Sequence, residues 1–299
     1  MKIILTGSLG HISKPLAQEL IENGHAVTVI SSKPERQKEI ESIGATPAIG
    51  TVEDAEFLTH TFKGADAVYC MEAPGGFFDP HFDIMAHIEK LGHTFKTAIE
   101  QSGVQRIVHL SSIGAHTDKG NGILAFHFRM EKILEQLPFT VSIRFMRPVG
   151  FYYNLLAFIP VIKATGHILA NYGGDKKDLW VSPHDIAAAI AEDMTQPFTG
   201  RSVRYIASEE ISPNEIAHLI GAAIGKPDLQ WKIISDEAQL DSMVKAGMNP
   251  KIAKGLVEMN AGRSNGTLYE DYYRNLPAAL GKTKMKDYMK EFAAIYASS

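Results

Sequence analysis

The chain has 299 residues, of which 45% are hydrophobic and 21% charged, with a formal net charge of −4. That length suits one large domain or two smaller ones, each with room for a buried core, and the mild acidity argues against a general nucleic-acid binder, which normally carries a basic face or stripe. No run of about 18 apolar residues is present, so no membrane-spanning helix is expected, and the single cysteine, Cys70, excludes an internal disulfide. The N-terminal apolar stretch is too short for a signal peptide, and the sum fits a reduced, cytoplasmic setting. Cys70 closes an apolar run and is read as a buried, inert thiol.

Strands are expected near residues 2–6, 26–30, 46–49, 66–71, 106–111 and 140–146, with helices near 11–23, 33–43, 53–62, 80–102 and 123–136. The first strand runs into Thr6-Gly7-Ser8-Leu9-Gly10-His11-Ile12-Ser13 and then a helix. Glycines at that point permit either a tight turn or the close approach of a phosphate to the backbone, whose free amides open the helix. Ser13 stands where a third glycine would ease packing of the helix on the strand. The second strand ends in "VISSKPER" with no carboxylate. An NAD site usually carries Asp or Glu there, for the ribose hydroxyls. Ser31, Ser32, Lys33 and Arg36 suit instead the extra phosphate of NADP; a solvated helix start is the other reading. Past the fourth strand, "APGGFF" at 73–78 is expected to form a flexible pocket loop, with Phe77 and Phe78 in contact with a flat substrate. Ser111 and Ser112 end the fifth strand, where they either bond a ligand or cap a loop.

Beyond residue 150 the rhythm weakens. "VSPHDIAAAI" predicts a helix capped near Ser182, "RSVRYIAS" a strand, "SPNEIAHLIGAAIGKP" a second capped helix and "WKIIS" a short strand. The remainder reads as helical, with "DEAQLDSMVKAGMNPKIAKGLVEMN" a candidate lid. The alternation of near-continuous apolar strands with helices predicts an α/β protein, a Rossmann-type doubly wound parallel sheet. A dinucleotide-binding domain is expected over 1–150, with a smaller, mostly helical substrate lobe over 151–299, partly interleaved with it.

The segments "TGSLGHIS", "VHLSSIGA", "HFRMEKIL", "FMRPVGFYYN" and "VSPHDIAAAI" occur in the order found in atypical short-chain dehydrogenases. The chain resembles their NmrA-like group, which includes NADPH-dependent quinone reductases and redox-sensing regulators. The resemblance implies that Gly7, Leu9, Gly10, His11 and Ile12 cradle a pyrophosphate and that Ser32, Lys33 and Arg36 meet the adenosine phosphate. It places Met71, Glu72 and Ala73 along the adenine ribose and pyrophosphate. Pro148, Val149, Gly150 and Phe151 would lie beside the nicotinamide, with Asn154 at the substrate entrance. It also makes Asp185 a structural tie.

Conventional members use a tyrosine and a lysine four residues apart, the lysine adjusting the tyrosine for proton transfer. Here the aligned positions hold His127 and Glu131. One turn apart, they could pair with each other, either as a proton shuttle with Ser112 nearby or as a structural contact. The histidines at 81, 87 and 93 do not share a helical face, so no metal site is expected. Two functions follow. The first is an NADPH-dependent oxidoreductase reducing a quinone or another small conjugated carbonyl compound. The second is a non-catalytic NADP(H)-binding redox sensor acting through protein partners. A homodimer is an assembly open to either.

Overall fold

A computed structural model describes residues 1–299. Its first half alternates β1 (Lys2–Leu5), α1 (Ser13–Glu22), β2 (Ala26–Ser31), α2 (Gln37–Ser42), β3 (Thr46–Ile49), α3 (Ala55–Phe62) and β4 (Ala67–Cys70). It continues with α4 (Ile84–Ser102), β5 (Arg106–Leu110), α5 (Ala125–Leu134) and β6 (Ser142–Pro148). The second half adds β7 (Gly150–Phe151), α6 (Ile159–Thr165), β8 (His167–Ala170), β9 (Asp178–Val181), α7 (Pro183–Thr195), β10 (Arg201–Ile206) and β11 (Glu209–Ile211). It ends with α8 (Pro213–Ala223), β12 (Gln230–Ile233), α9 (Asp236–Lys245), α10 (Pro250–Asn265), α11 (Glu270–Arg274) and α12 (Met285–Ser298).

Seven strands form one parallel sheet in the order β10-β6-β5-β4-β1-β2-β3. Strands covered on both faces must be apolar throughout, and the sequence supplies this: Ile3, Ile4, Leu5, Val68, Tyr69 and Cys70 are all inaccessible to solvent. Ile3 and Leu5 face α1 and α7, packing with Leu16, Leu20, Ile186 and Ile190. Ile4 and Val68 face α3, α4 and α5, packing with Phe62, Phe95 and Met130. Each fully buried aliphatic side chain of this kind contributes about 1.5–3 kcal/mol. Burial pushes the Cys70 thiol up, aided by the nearby Glu72 charge, so the thiol stays protonated.

Chain order reverses between β1 and β4, and that switch point opens a crevice at the carboxyl ends of the strands. Over it sits a lobe with its own core, in which Tyr152, Trp180, Ile216, Met285 and Phe292 pack together. The lobe is tied to the sheet at Asp185 on α7, whose carboxylate accepts from Ser208 Oγ, the Lys282 and Thr283 amides and Thr283 Oγ1. That is the structural tie expected of it. Helices α7 and α8 start at Ser182 and Ser212 with proline next, as their caps predict. No helix is long and apolar enough to cross a membrane.

Candidate active site

The turn after β1 is shaped by backbone demands. Gly7 has φ +86° and Ser8 φ +54°, and Ser8 Oγ donates to Ser31 Oγ at 2.9 Å, joining the turn to the end of β2. A Cβ on Gly7 would stand 2.3 Å from Met71 Sδ and 2.7 Å from Ser13 Oγ, so glycine is required. Ser13 keeps the close approach of helix to strand: it is 1% exposed and its hydroxyl donates to the Thr6 carbonyl at 3.1 Å. Helix α1 then begins with no side-chain cap and no acidic residue in its first turn. Of the other helices, α3, α4, α7, α8, α9 and α10 are capped by a side chain, whereas α2, α5, α6 and α11 are not. An uncapped helix start keeps its orphan amides and positive dipole end available to an anion.

That turn forms one wall of a cavity of about 440 Å³. Gly7, Gly10, His11 and Ile12 come from the turn; Met71, Glu72 and Ala73 follow β4; Ser111 and Ser112 follow β5; Val149, Gly150 and Phe151 follow β6. Tyr153 and Asn154 of the lobe join them, with Met259 and Arg263 of α10 and Leu268 and Tyr269 just beyond it. A second cavity of about 320 Å³ shares Gly7, Met71 and Ala73 with the first and runs past Ser31, Ser32, Gly50 and Thr51. His11 stacks on Tyr153, ring centroids 4.6 Å apart and 18° from parallel, so turn and lobe meet across the opening.

Several expected positions lie elsewhere. Leu9 is 6% exposed and packs into the apolar core, because the turn's reversal points its side chain inward. Pro148 is buried inside the sheet, as the last residue of β6. Phe77 packs against the α3–α5 core while its carbonyl accepts the Asn249 amide at 2.8 Å, and Phe78 is 66% exposed. Neither phenylalanine lines the cavity; Asn249 at the start of α10 bonds their loop through the Phe77, Asp79 and Phe82 carbonyls. Lys33 and Arg36 flank the second cavity without lining it. Arg36 reaches the Leu9 carbonyl at 3.5 Å and Glu39 at 3.7 Å. The candidate lid is partly realised, since α10 covers the cavity and α9 contributes no lining residue.

The pairing expected between His127 and Glu131 does not form. Glu131 accepts from Arg147 through both oxygens, at 2.9 and 2.6 Å, and from Ser111 Oγ at 2.5 Å. Arg147 in turn donates to Tyr205 and Asp271, each at 3.1 Å. A buried guanidinium claims the carboxylate because each charge needs the other once water is removed. His127 turns instead to Glu72, which lies at the end of β4. His127 Nδ1 is 3.0 Å from Glu72 Oε1, off the hydrogen-bond line, and His109 Nε2 is 2.9 Å from Glu72 Oε2. Burial alone would raise the Glu72 carboxyl, yet the two imidazoles beside it, His109 through a hydrogen bond, bring it down to about 2. His109 within the apolar run "RIVHL" was the signal available for this cluster, since a polar group on a buried strand needs a partner.

On the lobe side, Arg263 and Tyr269 both bond Asp178. The Arg263 guanidinium lies 4.4 Å from the Tyr172 ring centre and 4.7 Å from that of Trp180. No local pattern marks this group, because Asp178 and Arg263 stand 85 residues apart.

The model of the NmrA-like family matches residues 1–289 of the chain. A (4-alkanoyl-5-oxo-2,5-dihydrofuran-3-yl)methyl phosphate reductase from Streptomyces griseus is 25% identical over 263 residues, spanning 86% of this chain and 85% of the relative. The NAD(P)H azoreductase of Xenophilus azovorans is 22% identical over 260 residues, spanning 87% and 86%. Among solved structures, the NADPH-dependent quinone oxidoreductase QOR2 from Escherichia coli, complexed with NADPH, superposes with a TM-score of 0.78. Identity there is 19%, over 97% of this chain and 99% of the other, a likeness of fold.

Proposed function

Because the chain belongs to the NmrA-like family, we propose that it is an NADP(H)-dependent oxidoreductase whose acceptor is a quinone or another small conjugated carbonyl compound. The observation that carries this reading is the cavity itself, which starts at an uncapped helix terminus and ends among apolar and aromatic side chains. The first end suits a pyrophosphate, the second a flat acceptor.

The residues present fit the cofactor. Gly7 and Gly10 leave the backbone bare, His11 and Ile12 bring the first amides of α1, and Ser32 lines the adjoining cavity. Lys33 and Arg36, next in the chain after Ser32 but not lining that cavity, would have to swing their side chains in to meet the adenosine phosphate, and the absence of a carboxylate at the end of β2 favours NADP over NAD. Met71, Glu72 and Ala73 border the middle of the cofactor; Val149, Gly150 and Phe151 border the nicotinamide. When bound, the nicotinamide supplies the hydride. The chain orients the acceptor between Phe151, Tyr153, Asn154 and Met259 and keeps water out with α10.

The two relatives named above are reductases by name, so the sensor reading is the weaker one. The test follows loss of NADPH absorbance on adding a panel of quinones and conjugated carbonyl compounds, with NADH in parallel. Repeated turnover, faster with NADPH, supports the reading. Tight NADPH binding with no oxidation by any acceptor would sink it and leave the sensor.

A further inference from the structure

We propose that His127 is the proton donor to the reduced acceptor and that Glu72, backed by His109, is the positioning residue that holds it. This deepens the reductase reading above and rests on it. Hydride addition leaves negative charge on an acceptor oxygen, and the cavity must supply a proton or a hydrogen bond there. Few of its groups can. Burial pushes the Tyr153 hydroxyl up to about 12. Tyr269 already donates to Asp178, Arg263 is held charged by the same aspartate, and Ser111 donates to Glu131. His11 stands at the turn, stacked on Tyr153, beside the phosphate end. Ser112 and Asn154 also line the cavity and can offer a hydrogen bond, but neither carries a proton acidic enough to give up near neutrality; His127, with 14% of its side chain exposed there, does.

Its setting is built for the task. Nδ1 is buried against Glu72, which leaves Nε2 to the cavity. The Glu72 and His109 side chains are wholly inaccessible, so the carboxylate has no water to neutralise it and relies on the two imidazoles. The other charges around the ring are accounted for. On its own helix Glu131 is taken by Arg147, and Arg129 pairs with Glu89 of α4; on α10 Arg263 pairs with Asp178. Glu72 is thus the one anion facing His127. In the step, the nicotinamide's hydride adds to the conjugated carbonyl system and the carbonyl π electrons move onto oxygen. That oxygen then forms an O–H bond as the Nε2–H bond of His127 breaks. His127 then recovers that proton from the bulk solution at the cavity mouth, so that one hydride and one solvent proton are consumed per acceptor reduced.

The experiment compares wild type, H127Q, E72Q and the double variant, with NADPH and a soluble p-quinone. A second assay measures binding of p-nitrophenolate and of p-nitroanisole to the protein without cofactor; the phenolate oxygen mimics the reduced acceptor. H127Q is expected to lower kcat on the order of 10²-fold, with the KM for NADPH within about twofold of wild type. It should weaken p-nitrophenolate about tenfold and leave p-nitroanisole unchanged. E72Q should do the same in smaller measure, and the double variant should fall no further than H127Q, because Glu72 acts through His127. If E72Q does not fold, H109Q takes its place in the cycle. Unchanged kcat in H127Q, or equal loss of both nitro compounds, overturns the donor; additive losses overturn the positioning role. Failure of wild type to oxidise NADPH with any acceptor removes the reductase reading, and the phenolate assay then judges the pair alone.

Discussion

At the turn after β1, a Cβ on Gly7 would stand 2.3 Å from Met71 Sδ, at a φ of +86° that side chains avoid. Gly7→Ala is therefore expected to cost about 2–3 kcal/mol, read as a lower urea midpoint, and to weaken NADPH binding. Beside the second cavity, Lys33→Ala with Arg36→Ala removes two cations from the proposed phosphate site. Charged hydrogen bonds contribute about 1.5–3 kcal/mol, so the dissociation constant for NADPH should rise by about 10- to 100-fold while that for NADH barely moves. Equal losses, measured by fluorescence titration, would mean that the phosphate lies elsewhere. What was legible at this scale was local. Glycines between a strand and a helix announce their own constraint within a few residues. The partner of His127 was not legible, because Glu72 precedes it by 55 positions and reaches it only once β4 and β5 lie side by side. Helix spacing pointed to Glu131, and Arg147, 16 residues further on, outbid His127 for it.

Among the elements, α10 governs access to the cavity through Met259 and Arg263, and Asn249 governs α10. Its carboxamide oxygen caps the helix by accepting from the Lys251 and Ile252 amides. Its nitrogen donates to the Asp79 and Phe82 carbonyls at 2.7 and 3.0 Å, holding the helix to the loop after β4. Asn249→Ala should cost about 2 kcal/mol locally. Hydrogen exchange over 250–265 is then expected to quicken, and the KM of the acceptor to rise more than that of NADPH. Unaltered exchange would show that the helix is held by its apolar face alone. Helix starts were readable in advance because a cap is written beside the helix it serves, as with Ser182-Pro183 and Ser212-Pro213. Strands β8, β9 and β11 were not. Each has only three or four residues, and each is extended because of a partner remote in the chain, as Glu209–Ile211 is by Asp178–Trp180.

Across the whole molecule, the parallel sheet and its helix layers followed from the apolar strands, since only burial on both faces accounts for them. The lobe's site groups did not, being assembled from β9, α10 and the segment after it. The sheet also takes in β10, residues 201–206, which pairs with β6 along its full length, while α7 packs on α1 through the core they share. A fragment of residues 1–150 should therefore expose one face of α1 and leave β6 as an open edge. It is expected to unfold without a cooperative transition; a sharp calorimetric peak from the fragment would overturn that.

The stacking of Arg263 on Trp180 has an optical corollary. The chain holds two tryptophans, Trp180 and Trp231, both within the lobe core. A guanidinium lying over an indole lets any movement of the cation alter the emission of that ring. An acceptor that displaces Arg263 should shift Trp180 fluorescence even when it is colourless and unreactive, and Trp180→Phe should abolish the signal. The protein thus carries its own dye, one side chain removed from the proposed acceptor site.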